Sequence, residues 1–126
     1  MAKPTRDVTA AELAILEHLW STGSTTVKDL AENLYGASTA SEVATVQKLL
    51  TRLESKGFVE RDRESWPHKF AAALQRQELI SQRLQATAEE LCDGTLGGLL
   101  THLVKSKSFN ARQRKKLRKL LDELDE

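Results

Sequence analysis

Between Ser41 and Gly57 the chain places Thr45, Gln47, Lys48, Thr51, Arg52 and Ser55 on one side of a helical period and Val46, Leu49, Leu50 and Leu53 on the other. The first set is hydrogen-bonding or cationic, and its one acidic neighbour, Glu54, stands at the late end. Hydroxyl, amide, ammonium and guanidinium groups sharing a helix face form the donor and acceptor set that meets base edges and phosphates in a DNA major groove. Thr45, near the helix start, suits base edges or a thymine methyl. Gln47 and Lys48 suit bases or phosphates, and Arg52 suits either a phosphate or an internal salt bridge. Ser41 is expected to cap the helix and to stand with the DNA-facing set. Such a face is commonly nothing more than solvated surface, so its setting in the chain has to decide.

No competing chemistry emerges. His18, His68 and His102 are far apart and lack metal-ligand spacing, and the single Cys92 has no companion for a disulfide or a zinc site. Cys92 reads as a small buried apolar residue. There is no Gly-rich phosphate loop, no Gly-x-Ser-x-Gly and no His-Glu-x-x-His. The expectation is a protein without catalytic site, metal or cofactor.

The setting supports DNA contact. Met1 to Val8 read as an arm. Thr9 and Glu12 fit a capping box that opens a helix to about Thr22, with Leu13, Leu16, Leu19 and Trp20 facing a core and Gly23 ending it. Ser24 or Thr25 is expected to cap a second helix with Val27, Leu30, Ala31 and Leu34 inward. Residues 35–39 turn into the third helix, where Gly57 supplies the C-terminal stop. Phe58 to Arg61 alternates as a strand, Arg63 to His68 with Pro67 forms a hairpin tip, and a return strand runs from Lys69 to about Ala72. Three helices followed by a hairpin make a winged helix-turn-helix, and Arg61, Arg63, His68 and Lys69 on the wing are candidate DNA contacts. Charged edge strands also discourage aggregation, which is the plain alternative for these four. Trp20, Trp66 and Phe70 read as packing residues.

From about Leu74 onward the pattern is helical. Leu79, Ile80, Leu84, Ala88 and Leu91 define one long helix. Leu96, Leu99, Leu100 and Leu103 define a second, and Leu117, Leu120, Leu121 and Leu124 a third that Asn110 caps. Gly97 and Gly98 fall within the second helix, where close approach of another helix would offset their cost. Some fifty residues with three apolar stripes cannot fill a core alone. The economical partner is a second copy in two-fold symmetry, with the eight leucines of the second and third of these helices as the dimerisation set. The fold class expected is therefore mainly α with a small β-hairpin wing, divided into residues 1–73 for DNA binding and 74–126 for helical dimerisation.

Composition narrows the rest. The 126 residues carry 19 lysines and arginines against 18 aspartates and glutamates, so there is no polybasic coat. Residues 1–73 hold nine cations against ten acids and residues 74–126 ten against eight, so the DNA-facing cations have to be sorted onto one face. No apolar run approaches the ~20 residues of a bilayer span, and the start Met-Ala-Lys-Pro has no signal core. A cytoplasmic protein with no membrane partner is expected.

Several stretches together resemble a known family. They are Val8-Thr9-Ala10-Ala11-Glu12-Leu13 with Ile15-Leu16 and Leu19-Trp20, then Thr26 to Leu30, then Thr45 to Leu53 with Lys56-Gly57, and later Asp93 to Leu100. The combination is similar to the penicillinase-repressor (BlaI/MecI-type) family of bacterial transcriptional regulators and covers nearly the whole chain. That resemblance implies a homodimeric repressor on an inverted-repeat operator in double-stranded DNA. It also implies, for the antibiotic-responsive members, release by a sensor-linked protease cutting within the dimerisation region. Matching the leucine stripes places the corresponding bond between His102 and Leu103, where the family typically has Asn-Phe. The copper-responsive branch has a cysteine-rich tail, which the ending Leu-Asp-Glu-Leu-Asp-Glu does not match. The wing is poorer in glycine and tyrosine than is usual for the family. The rival readings are a winged helix serving as a protein-interaction or architectural module without its own operator, and a MarR-type winged helix, which usually needs a dimerisation helix ahead of the first helix.

Overall fold

The computed structural model describes residues 7–125. Most of the expected amino-terminal arm, Met1 to Arg6, lies outside the described residues. Val8 does not behave as arm: it is buried in the core.

Thr9 opens α1, Ala10–Thr22, through a reciprocal cap. The Glu12 amide donates to the Thr9 hydroxyl at 3.2 Å and the Thr9 amide to the Glu12 carboxylate at 3.1 Å, so two amides with no intrahelical partner are satisfied. Ile15, Leu16 and Leu19 are its buried stripe, with Leu13 and Trp20 partly buried beside them. Gly23 closes the helix at a φ of 86°. The next cap is neither Ser24 nor Thr25, as the sequence suggests. Thr26 accepts from the Asp29 amide at 3.2 Å and starts α2, Val27–Tyr35. Thr25 and Thr26 form a two-residue strand, β1, which the sequence pattern does not announce.

The third helix, α3, spans Ala40–Ser55. Its N-cap is Thr39, whose hydroxyl bonds to the Glu42 carboxylate, and Ser41 already sits within the first turn. The expected capping role of Ser41 is therefore wrong by two residues. The other end follows expectation. Gly57, at a φ of 80°, donates to the Glu54 carbonyl and Phe58 to the Leu53 carbonyl, which is the Schellman arrangement that ends a helix at a left-handed residue. The bond from Phe58 also sets that buried ring under the helix and starts the hairpin.

The hairpin consists of β2, Val59–Asp62, and β3, Lys69–Ala72. The three strands are antiparallel in the order β1-β3-β2, with Arg61 opposite Phe70 and Thr25 opposite Phe70 on the other side. The Trp66–Pro67 bond at the hairpin tip is cis. Val46, Leu49, Leu50 and Leu53 of α3 meet Leu30 and Ala31 of α2, the α1 stripe, and Phe58, Val59 and Phe70 of the sheet in one core. Leu74 and Leu79 join it. The Trp20 indole donates to the Leu74 carbonyl at 2.7 Å, and the Arg76 guanidinium lies over the same ring at 4.7 Å.

Two compact units result, one ending at Leu79 and the other beginning at Ile80. The helix α4 spans Arg76–Leu91, two residues later at its start than the apolar pattern suggests. Thr95 caps α5, Leu96–Lys105, and Asn110 caps α6, Ala111–Leu124, by accepting from the Gln113 amide at 3.0 Å. Gly97 and Gly98 occupy the first turn of α5, not its interior, and the close neighbour is Cys92 rather than another helix. A Cβ on Gly98 would stand 2.8 Å from the Cys92 Cβ. Neither α5 nor α6 has a buried residue. Leu96, Leu100, Leu103, Leu120, Leu121 and Leu124 are exposed apolar side chains.

Candidate nucleic-acid interface

The exposed face of α3 is set by the core opposite it. With Val46, Leu49, Leu50 and Leu53 buried, Ser41, Thr45, Lys48 and Arg52 recur at intervals of four, three and four and form one exposed ridge. Gln47 and Thr51 lie beside it, also exposed. The Thr45 hydroxyl donates to the Ser41 carbonyl at 3.1 Å and the Thr51 hydroxyl to the Gln47 carbonyl at 2.9 Å. Each spends its one proton within the helix. What Thr45 and Thr51 can offer a ligand is a methyl group and an oxygen acceptor, which suits a thymine methyl or a cytosine amino group better than a phosphate.

Charge is divided unequally between the helix and the wing. Among the described residues Lys48 and Arg52 form no ion pair, so both cations remain available to an anion. The internal salt bridge open to Arg52 in sequence is absent there, and Glu54 has a different partner. The Arg61 guanidinium reaches Glu54 at 3.2 Å and lies over the Phe70 ring at 4.9 Å. Arg63, much more exposed, is 3.9 Å from the same carboxylate. Glu54 thus ties β2 to the end of α3. Arg61 serves first as that tie, whereas Arg63 and exposed Lys69 keep heads that an approaching phosphate can reach.

The wing tip departs from expectation. Trp66 does not pack into the core: it is 85% exposed. Its contact is with His68, ring edge to ring face at 4.9 Å and 84°. A cleft of about 520 Å³ runs between this tip, the start of α2 and the flank of α3, lined in part by Lys28, Gln47, Thr51, Arg61, Trp66 and His68. Of the residues expected to face DNA, Gln47, Arg61 and His68 therefore share one cleft, and Ser41, Thr45, Lys48 and Arg52 share the adjoining ridge. Lys28 and Thr51 are additional polar members. Thr51 is visible in the polar face, while Lys28 gives no signal in the sequence, because only the fold brings the start of α2 beside the wing.

The end of α3 is held by an ion pair between partly buried Lys56 and fully buried Glu12. The Lys56 ammonium donates to Glu12 Oε2 at 2.8 Å, to Glu12 Oε1 at 3.0 Å and to the Asp7 carbonyl at 2.7 Å. Burial by itself raises the Glu12 carboxyl. The hydrogen bond from Lys56 and those with Thr9, with the ammonium charge added, outweigh it and hold the group below its usual value. The N-terminus of α1 is thereby fastened to the C-terminus of α3.

Among the described residues no group of His, Cys, Asp and Glu could hold a metal ion, and no helix is long and apolar enough to cross a membrane. Known proteins match along most of the chain. The family model described as Penicillinase repressor matches residues 8–123. A protein named "Transcriptional regulator BlaI" from Mycobacterium tuberculosis is 33% identical over 127 aligned positions, covering 99% of this chain and 89% of that protein. A 16.5 kDa protein from Latilactobacillus sakei, named as uncharacterized and lying 3′ of ptsI, is 26% identical over 121 positions, covering 96% of this chain and 82% of its own.

Proposed function

The chain belongs to the penicillinase-repressor family, a family of transcriptional regulators and not of enzymes, and from that premise we propose that it is a homodimeric, sequence-specific repressor acting on an inverted-repeat operator in the cytoplasm. Each protomer sets α3 of its winged helix, within residues 1–73, into a major groove. The helices of residues 74–126 pair the protomers, and the bound dimer occludes polymerase. The observation that carries this reading is the α3 ridge: Thr45, Lys48 and Arg52 stand exposed in one line with both cations unpaired among the described residues. A surface made for another protein would be more apolar at its centre.

Dimerisation is supported by the uncovered leucines. Fully burying one leucine is worth about 1.5–3 kcal/mol, so covering half-exposed ones gains roughly half of that each. Six on each protomer supply ample driving force, and a two-fold axis lets one patch cover itself. A release mechanism follows from the same region. His102 and Leu103 are exposed on α5, and a cut between them by a sensor-linked protease removes α6 and its leucines while leaving α3 untouched.

Selection of binding sites from random duplexes with the purified protein tests the reading, with an inverted repeat as the expected product. Lys48→Ala and Arg52→Ala are then titrated against that duplex. A base-specific contact is worth about 1–3 kcal/mol and its loss relaxes one position. A phosphate contact weakens all sequences and flattens the salt dependence. No enriched sequence, or unchanged binding by both variants, refutes it.

A further inference from the structure

Outside the winged unit the cations are most densely placed on α6. From Gly94 to Leu121 the chain holds eight lysines and arginines and no aspartate or glutamate. Six of them, Arg112, Arg114, Lys115, Lys116, Arg118 and Lys119, lie exposed on α6. This arrangement opposes helix stability in two ways. Arg112 and Arg114 stand near the helix N-terminus, where the macrodipole disfavours cations, and no acid occupies the first turn. Arg112 with Lys116, Arg114 with Arg118 and Lys115 with Lys119 are like-charge pairs four residues apart, which repel. Among the described residues none of the six forms an ion pair, and the Arg114 guanidinium donates to the Phe109 carbonyl at 3.3 Å. Asp122 and Glu123 follow Arg118 and Lys119 by four residues, so the repulsion an external polyanion would relieve lies in the earlier turns.

The two faces of α6 divide the work. Leu117, Leu120, Leu121 and Leu124 share one side. Arg112, Lys115 and Lys119, spaced at three and four, line the side turned away from them. Covering the leucines with a second copy leaves this basic ridge outside.

We propose that the ridge of Arg112, Lys115 and Lys119 is a second nucleic-acid contact, one that grips the phosphate backbone of duplex DNA without reading its sequence. The proposal rests on the DNA-binding reading of the winged unit. Three observations favour DNA as the occupant. The winged half holds nine cations against ten acids and so has no net positive charge of its own, and the acid-free stretch adds a positive field to the local one on α3. A duplex held by α3 is present at high effective concentration for every surface of the same dimer that the linker lets reach it. An anionic membrane would instead take up the helix through its leucine face, which a second copy already claims.

The test uses the full chain as wild type, as the triple variant Arg112→Gln, Lys115→Gln, Lys119→Gln, and as the charge-keeping variant Arg112→Lys, Lys115→Arg, Lys119→Arg. Each is titrated at several salt concentrations against the selected duplex and a random duplex of equal length, with sedimentation as the check on assembly. The glutamine variant should bind the random duplex at least tenfold more weakly. Its salt slope should become shallower by about 0.9 for each phosphate that is no longer neutralised. It should still dimerise and still prefer the selected duplex, and the charge-keeping variant should recover affinity and slope. Unchanged random-duplex affinity and slope overturn the proposal. So does loss of dimerisation in the glutamine variant, which would assign the cations to the interface. So does loss of binding to phosphatidylglycerol vesicles with DNA binding intact, which would make a membrane the occupant. Wild-type binding without any sequence preference would defeat the operator reading alone, and a wild type that binds no duplex would defeat both.

Discussion

Lys56→Met removes the ammonium that faces Glu12 and leaves a carboxylate that is 0% exposed without its cation. Breaking a buried pair from one side typically costs about 3–5 kcal/mol, because the remaining charge is neither solvated nor neutralised. Glu12 keeps its bond from the Thr9 amide, which argues for the lower end, about 3 kcal/mol. In a winged unit of this size each 1 kcal/mol moves the melting temperature by roughly 4–8 °C, so a fall of more than ten degrees is expected. The pH dependence gives a sharper signature. In the wild type the folded Glu12 carboxyl is below its usual value. Its contribution is present above the unfolded pKa of about 4.3 and is lost as the pH falls through the folded value. Without Lys56 only burial and the Thr9 bonds remain, and burial raises the group. The folded value of Glu12 therefore moves up relative to the wild type, and the variant loses less stability than the wild type as the pH falls. Urea unfolding of both proteins at steps from pH 7 to pH 4 reads this as a gap that narrows on acidification. Glu12→Leu in the Lys56→Met background should restore most of the loss. A loss below about 1 kcal/mol, or a gap independent of pH, would show that the pair does not brace the unit.

Leu120→Asp places a carboxylate among the leucines of α6 and should yield monomers by sedimentation, with full-operator affinity reduced to that of a half-site. Gly57→Ala forces a side chain into a φ of 80° with open space around it, so strain alone should cost roughly 1–2 kcal/mol in thermal unfolding. A chain ending at His102 should keep the melting profile of the winged unit but lose dimerisation and tight operator binding. Retention of both would remove the basis for release by cleavage.

Elements whose boundaries rest on local chemistry were legible in the sequence. The Thr9–Glu12 box, the Gly57 stop, the Asn110 cap and both hairpin strands follow from residues within a turn of one another. Features that depend on distant partners were not. Glu12 read as half of a cap, and only the fold brings it Lys56 from 44 residues away. Arg61 read as one of four equivalent wing cations until Glu54, seven residues earlier, engaged it. Trp66 carries an aromatic ring that composition assigns to packing, yet its place at the hairpin tip sets it against His68 and outside the core. The start of α3 is ambiguous in the sequence because Thr39 and Ser41 are both competent caps, and Ser24, Thr25 and Thr26 present the same ambiguity before α2. A two-residue strand has no period to detect.

That short strand makes Thr26 answer to two structures at once. Its backbone sits opposite Lys69 in the sheet, and its hydroxyl holds the Asp29 amide at the start of α2. Peeling β1 from β3 therefore loosens the first turn of α2, and fraying of that turn exposes the edge of the wing. The hairpin cannot swing as an independent flap. In hydrogen exchange the amides of β3 and of the first turn of α2 should open together as one cooperative unit, with a common free energy and a common response to denaturant.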